Sequence, residues 1–170
     1  MRLFLAGFMG CGKTTVGKEL AKELNFPFFD LDEEIEKAAD QSISSIFSEY
    51  GEEYFRELEA QKLRDTMLLE EDVVLALGGG TPCYYDNLWA MQSEGKIIYL
   101  QCSTDTLFER LQKEKSQRPL ISDKEDDELF SSIEKYLSLR EKYYQHADLI
   151  VDCNGKSVEE IVEIIKTVFL

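Results

Sequence analysis

The chain has 170 residues, 44% hydrophobic and 31% charged, and its 34 Asp and Glu against 19 Lys and Arg give a net charge of −15. That length suits one domain whose core needs no metal or disulfide staple, and that composition excludes a wholly disordered chain. The acidic excess opposes nucleic acid, the apolar runs are too short for a bilayer span or a secretory leader, and Cys11, Cys83, Cys102 and Cys153 form no C-x-x-C pair, so a reduced, cytoplasmic protein without nucleic-acid or membrane partners is expected.

Residues 2 to 6 read as a buried strand, followed by a helix from Lys13 to Leu24, where Val16, Leu20 and Leu24 recur every four residues. FPFFDLD (26–32) is a second short apolar run ending in carboxylates. From Glu33 to Leu69 the pattern is helical, with breaks near Gln41-Ser42 and at Gly51. DVVLALGGG (72–80), KIIYLQC (96–102) and ADLIVDC (147–153) are three more buried strands. The last helix opens on a capping box at Ser157-Val158-Glu159-Glu160. Five strands separated by helices predict an α/β fold, a five-stranded parallel sheet with helices on both faces. Ligands of such sheets gather beyond the carboxyl ends of the strands. The charged stretch from Lys113 to Glu128 is expected to be a mobile lid.

Between the first strand and first helix, Gly7-Phe8-Met9-Gly10-Cys11-Gly12-Lys13-Thr14 matches G-x-x-x-x-G-K-[ST] in full, with Thr15 following. Backbone amides of such a loop turn inward around phosphates, and the helix N-terminus adds its positive end. Lys13 would reach the outer phosphates, and the Thr14 hydroxyl would ligate magnesium. A nucleotide and Mg2+ are therefore the expected ligands, and the loop alone does not separate a GTPase, a motor ATPase and a small-molecule kinase. An N-K-x-D base-reading motif, expected of a GTPase, is missing. Where a motor ATPase places an acidic metal partner, the third strand runs into Gly78-Gly79-Gly80, bare backbone against which something packs. The acidic role moves to Asp30-Leu31-Asp32, whose carboxylates, two apart in extended chain, point to one side. Read alone, Asp32 is equally a cap for a helix starting at Glu33, and Arg56 a solvated partner of Glu59.

Taken together, Phe29-Asp30-Leu31-Asp32 with Ile35-Glu36, Phe55-Arg56-Glu57-Leu58-Glu59, the triple glycine, Arg118-Pro119-Leu120 and Arg140-Glu141-Lys142-Tyr143-Tyr144, in this order behind the phosphate loop, resemble shikimate kinases over essentially the whole chain. The resemblance implies a P-loop NTPase fold of the nucleoside monophosphate kinase type with a lid at about 112–124 and a substrate-binding segment at about 31–60. It implies transfer of the ATP γ-phosphate to the 3-hydroxyl of shikimate, on the way to chorismate and the aromatic amino acids.

By that resemblance Asp32 holds the acceptor hydroxyls and takes the proton, Asp30 anchors magnesium through its water shell, and Arg56 and Arg140 clamp the substrate carboxylate. Glu59 steadies Arg56. Gly78, Gly79 and Gly80 offer amides to the ring hydroxyls, with Phe47 and Phe55 as walls. Lys13 and Arg118 act on the transferring phosphate. Gly10, Cys11, Gly12, Lys13, Thr14 and Thr15 bind nucleotide, with Arg110 and the turn Asn154-Gly155-Lys156 at the adenine. Four of the six arginines would thus build one cationic pocket, leaving Arg2 and Arg64 to the surface. Ala76-Leu77 stands where family members commonly carry a serine or threonine that helps the metal's water shell. No protein nucleophile is required, and a monomer is expected. The alternatives are another small-metabolite kinase with a gluconate-like acceptor, or a non-catalytic nucleotide-sensing module.

Overall fold

An apolar strand flanked by apolar neighbours must be covered on both faces, and the five runs in this chain satisfy that by lying side by side. In the computed structural model, which describes residues 1–69, 72–118 and 121–170, they are β1 (Arg2–Ala6), β2 (Phe28–Asp30), β3 (Val73–Ala76), β4 (Lys96–Gln101) and β5 (Leu149–Asp152). All pairs are parallel, in the order β2-β3-β1-β4-β5. The central strand β1 has Leu5 opposite both Ala76 and Ile98.

Alternation along the strands divides the core. Leu3 and Leu5 face one cluster with Val74, Ile98 and Leu100, while Phe4 and Ala6 face the other with Leu75, Ile97 and Tyr99. Helices α1 (Lys13–Leu24), α5 (Thr104–Glu114) and α7 (Val158–Phe169) cover the first face through Val16, Leu20, Leu107, Leu111, Ile161 and Ile165. On the second, α2 (Leu31–Ala39), α3 (Ile43–Met67) and α4 (Asn87–Glu94) supply Leu31, Ile35, Ile46, Leu63 and Met91. Helix α6 (Asp126–Tyr144) serves both, placing Leu129 and Ile133 in one cluster and Tyr144 in the other. This is the P-loop, nucleoside monophosphate kinase-like architecture expected of the chain.

Both anticipated breaks are present. Asp40 adopts a left-handed conformation before Ser42 caps α3, and Gly51 interrupts α3 with φ 85° and ψ 173°. The capping box of α7 is formed in both directions, Glu160 N donating to Ser157 Oγ at 3.2 Å and Ser157 N to Glu160 Oε2 at 2.7 Å.

Other expectations are corrected. Helix α2 begins at Leu31, not Glu33, and its cap is Asp30, whose Oδ1 accepts from the Asp32 amide at 3.1 Å. Asp32 is therefore on a first helical turn rather than in extended chain, and its side chain is free of capping duty. Between β3 and β4 lie a short turn of 3-10 helix (Thr81–Cys83) and α4, absent from the sequence reading because α4 has no clean apolar stripe: Trp89 is exposed beside buried Ala90 and Met91. The stretch 113–128 is not all loop. Helix α5 reaches Glu114, a second such turn covers Lys115–Gln117, α6 starts at Asp126, and Ile121 is buried in the first core cluster. Pro119 and Leu120 lie outside the described residues.

Gly95 brings β4 in beside β1. A Cβ there would lie 2.5 Å from the Arg2 carbonyl oxygen and 2.8 Å from the Phe4 ring. Because a backbone atom cannot step aside as a side chain does, Gly95→Ala is expected to cost about 2 kcal/mol, the usual scale of overpacking, read as a lower urea midpoint with an unchanged slope.

Candidate active site

The turn from β1 into α1 needs backbone that only glycine adopts without strain. Gly7 has φ 145° and Gly12, the cap of α1, has φ 99°. A Cβ on Gly7 would sit 2.7 Å from Cys11 Sγ and 2.8 Å from the Leu100 carbonyl oxygen. Lys13 curls over the loop and donates Nζ to the carbonyls of Gly7 at 2.7 Å and Phe8 at 3.1 Å. Cys11 is buried, and burial raises its thiol pKa, so it offers the loop a small side chain and no reactive thiolate.

Next to the loop, Thr14 Oγ1 donates to Asp30 Oδ2 at 2.7 Å. With its other oxygen on the Asp32 amide, Asp30 is fixed at both ends. Thr14 and Asp30 together present the hard oxygen donors that suit magnesium. Ala76, opposite Asp30 in the β2–β3 register, and buried Leu77 add no oxygen from their side chains.

Beyond β3 the three glycines do admit close neighbours, and those neighbours are the protein's own charged side chains. A Cβ on Gly78 would lie 2.8 Å from Glu59 Oε2 and 3.0 Å from Asp32 Oδ1, on Gly79 3.0 Å from an Arg140 nitrogen, and on Gly80 2.6 Å from an Arg56 nitrogen. Tyr144 OH donates to the Gly79 carbonyl at 2.5 Å, holding the turn from the α6 side. Arg56 is buried, donating to Glu59 Oε1 at 3.0 Å, with its guanidinium over the rings of Tyr84 (4.1 Å) and Phe55 (5.1 Å). Its Nε is buried and makes no hydrogen bond among the described residues, lying 3.5 Å from Glu52 Oε1 as an ion pair. Arg140 lies over Phe8 and Tyr136. Among the described residues no carboxylate is within ion-pair distance of it.

These parts line one cavity of about 560 Å³ that holds Gly10, Gly12, Lys13, Thr14, Thr15, Asp30, Asp32, Phe47, Phe55, Arg56, Gly78, Gly79, Gly80, Arg118 and Arg140. Three expected residues are elsewhere. The Cys11 side chain points into the core. Arg110 donates to the Gly10 carbonyl at 3.2 Å, a contact with the phosphate loop's backbone. Lys156 follows Gly155 in the turn after β5, where Asn154 Oδ1 accepts from the Ser103 amide at 3.0 Å and from Thr106 at 2.8 Å. Arg118 faces the cavity bound through Nε to Glu114 Oε2 at 2.7 Å.

The pocket is not cationic in formal charge. Lys13, Arg56, Arg118 and Arg140 are matched by Asp30, Asp32, Glu36, Glu59 and Glu114 on the same walls. Burial, and after it the charges of Asp30 and Glu59, push the Asp32 carboxyl up to about 6. Arg64 is likewise no idle surface charge: it pairs with Asp86 and donates to Asn87 Oδ1 at 3.1 Å. The buried Asn87 donates to the Thr81 carbonyl at 3.0 Å, and Thr81 Oγ1 to Glu59 Oε2 at 2.8 Å. Sequence reasoning overlooked Thr81 and Asn87, and quoted Tyr144 in a motif without giving it a role. The local signal for Thr81 is that it directly follows the glycines.

The chain matches the family model described as shikimate kinase over residues 9–169. It is 41% identical over 163 residues to the shikimate kinase of Flavobacterium johnsoniae, covering 95% of each protein. The crystal structure of shikimate kinase from Bacteroides thetaiotaomicron superimposes with a TM-score of 0.94 at 41% identity, over 99% of this chain and 97% of that one. Shikimate kinase from Acinetobacter baumannii in complex with shikimate gives 0.89 at 30% identity, over 98% and 91%.

The environment of Asp32 has a consequence for stability. An aspartate raised from 3.8 to about 6 by the fold is unfavourable when charged, so its penalty is absent where both folded and unfolded chains are protonated, grows between those values and is complete above about 6. Asp32→Asn is expected to stabilise the ligand-free protein by about 1–3 kcal/mol at pH 7 to 8, a gain that vanishes below about pH 4. Thermal unfolding of both proteins across that range checks it.

Proposed function

The chain belongs to the shikimate kinase family, and on that premise we propose how its own residues carry the reaction. The enzyme transfers the γ-phosphate of ATP to the 3-hydroxyl of shikimate, giving shikimate 3-phosphate and ADP, a step towards the aromatic amino acids. The observation that carries the assignment of roles is the convergence on one cavity of a phosphate loop and of two arginines beside a triple-glycine turn.

Phosphates occupy the loop between β1 and α1, where the amides of Gly10 to Thr15 and the α1 N-terminus face them and Lys13 turns from the Gly7 and Phe8 carbonyls to the β- and γ-phosphates. Thr14 and Asp30 would hold magnesium, which would supply positive charge beside the phosphates. Shikimate binds with its carboxylate between Arg56 and Arg140, a pair of planar forks suited to an anion with two oxygens. Its ring rests on Phe47 and Phe55, and its hydroxyls meet Asp32 and the amides of Gly78, Gly79 and Gly80.

Asp32 accepts the proton of the attacking hydroxyl on a carboxylate oxygen, which its raised basicity favours. Arg118 exchanges Glu114 for the transferring phosphoryl group, adding positive charge where negative charge spreads in the transition state. Residues at about 31–60 form the substrate-binding segment and those at about 112–124 the lid. Arg110, which donates to the Gly10 carbonyl, and Lys156 flank the adenine. No helix among the described residues is long and apolar enough to cross a membrane, and a cytoplasmic monomer completes the reading.

ADP release by the purified protein with magnesium, measured with shikimate, gluconate, a panel of nucleoside monophosphates or no acceptor, tests the acceptor directly. Rapid release with shikimate alone is expected; turnover of another acceptor in its place would require Asp32, Arg56 and Arg140 to be reassigned. Asp32→Ala is expected to lower kcat by about 10²–10⁴, the range for a lost general base, with a smaller change in KM. Arg56→Ala is expected to raise the KM for shikimate by about 10–100-fold, the value of a charged hydrogen bond, and to leave the KM for ATP near its original value.

A further inference from the structure

Behind Arg56 runs a chain of polar groups that the phosphoryl transfer does not itself use. Glu59 has no exposed surface, and its two oxygens are divided between two partners: Oε1 takes Arg56 at 3.0 Å and Oε2 takes the Thr81 hydroxyl at 2.8 Å. Thr81 is equally buried, and its carbonyl is held by Asn87, itself buried and held by Arg64. We propose that Thr81 and Asn87 are positioning residues for shikimate recognition: they fix the Glu59 carboxylate, and Glu59 so fixed holds the Arg56 guanidinium in the orientation that the substrate carboxylate requires.

The geometry shows why the division matters. A carboxylate paired with an arginine frequently takes it with both oxygens, side by side. Here the Thr81 hydroxyl occupies Oε2, so Glu59 takes Arg56 through a single nitrogen, and Arg56 Nε makes no hydrogen bond and faces Glu52 Oε1 at 3.5 Å. Without that hydroxyl, Oε2 would be buried and bare, and Glu59 would turn to engage Arg56 with both oxygens, withdrawing it from the cavity. The Thr81 end is kept in place by the Asn87 side chain rather than by a regular helix, since Thr81 opens only one turn of 3-10 helix after the glycines. Arg56 has no room to compensate, with Tyr84 and Phe55 on its faces and Gly80 at its tip.

The proposal rests on the reading of Arg56 as the carboxylate clamp, and the test separates the two. Steady-state constants are measured for Arg56→Ala, Thr81→Val, Thr81→Ser and Asn87→Ala with shikimate and with its methyl ester, which keeps the hydroxyls and loses the charge, and thermal unfolding accompanies each. Thr81→Val is expected to raise the KM for shikimate by about 10-fold, with kcat and the KM for ATP within about 3-fold, and to shrink the preference for acid over ester. Thr81→Ser restores both constants, and Asn87→Ala shows the same signature at smaller size. If Arg56→Ala raises the shikimate KM while Thr81→Val and Asn87→Ala leave both the KM and the acid-to-ester preference unchanged, the positioning role is overturned and the clamp stands. Should Arg56→Ala leave that KM unchanged, the clamp falls and the proposal with it. A loss in Thr81→Val spread evenly over kcat and both KM values together with a lower Tm, repeated in Asn87→Ala, would mean a role in folding alone and would equally overturn it.

Discussion

A carboxylate with no exposed surface has to be paired, and the pairing of Glu59 with Arg56 is the constraint from which the acceptor end of this enzyme follows. Both residues stand on α3, one turn apart, so the helix brings the charges together before any tertiary contact forms. Burying them requires the facing backbone to come close. Only a run without side chains permits that, and β3 ends in one: at Gly80 even a methyl group would stand within 3 Å of the guanidinium. The pair and the glycines are thus one device. Removing either member leaves a buried charge alone, which is far costlier than never having placed a pair there.

The same logic explains how an acidic protein binds two anionic substrates. The cavity does not achieve this by excess positive charge, since carboxylates match its cations on the same walls. Instead the charges are sorted. Glu59 and Glu114 hold Arg56 and Arg118, and Asp30 is tied to Thr14, whereas Arg140 faces the cavity with no carboxylate beside it among the described residues. Where acidic groups crowd together, around Asp30 and Asp32, one carboxyl is pushed up to about 6 and the other is tied to Thr14 and to the Asp32 amide. Phosphoryl transfer asks chiefly for such placement of charge, which is why no covalent chemistry by the protein is needed.

Much of this is legible in the chain itself, for local reasons. The phosphate loop is contiguous, and its glycines, Lys13 and Thr14 do their work within a few residues of one another. The sheet is readable because fully buried parallel strands are short unbroken apolar runs, and the breaks in the helical stretch carry Ser42 and Gly51, each with its own conformational signature. Arg56 and Glu59 are spaced one helical turn apart. The order of these pieces along the chain is specific enough to identify the family, which no single piece would have done.

Other features depend on residues far apart in sequence. That Asp30 and not Asp32 caps α2 follows from where β2 ends, and so decides which carboxylate is free of capping duty. Arg64, by composition an ordinary surface charge, proves to anchor Asn87 across 23 positions, and Thr81 meets Glu59 across 22. Arg110, expected at the nucleotide base, reaches the loop backbone 100 residues away. Ile121, within a stretch that reads as charged loop, enters the core because α5 and α6 close over it. By itself the sequence determined the strands, the phosphate loop, the spacing of the buried ion pair and the family, because each is written in neighbouring residues. Which carboxylate caps and which is left free, which arginines enter the cavity, and what stands behind Glu59 were decided only by the tertiary structure, because burial and partner are properties of where distant segments meet.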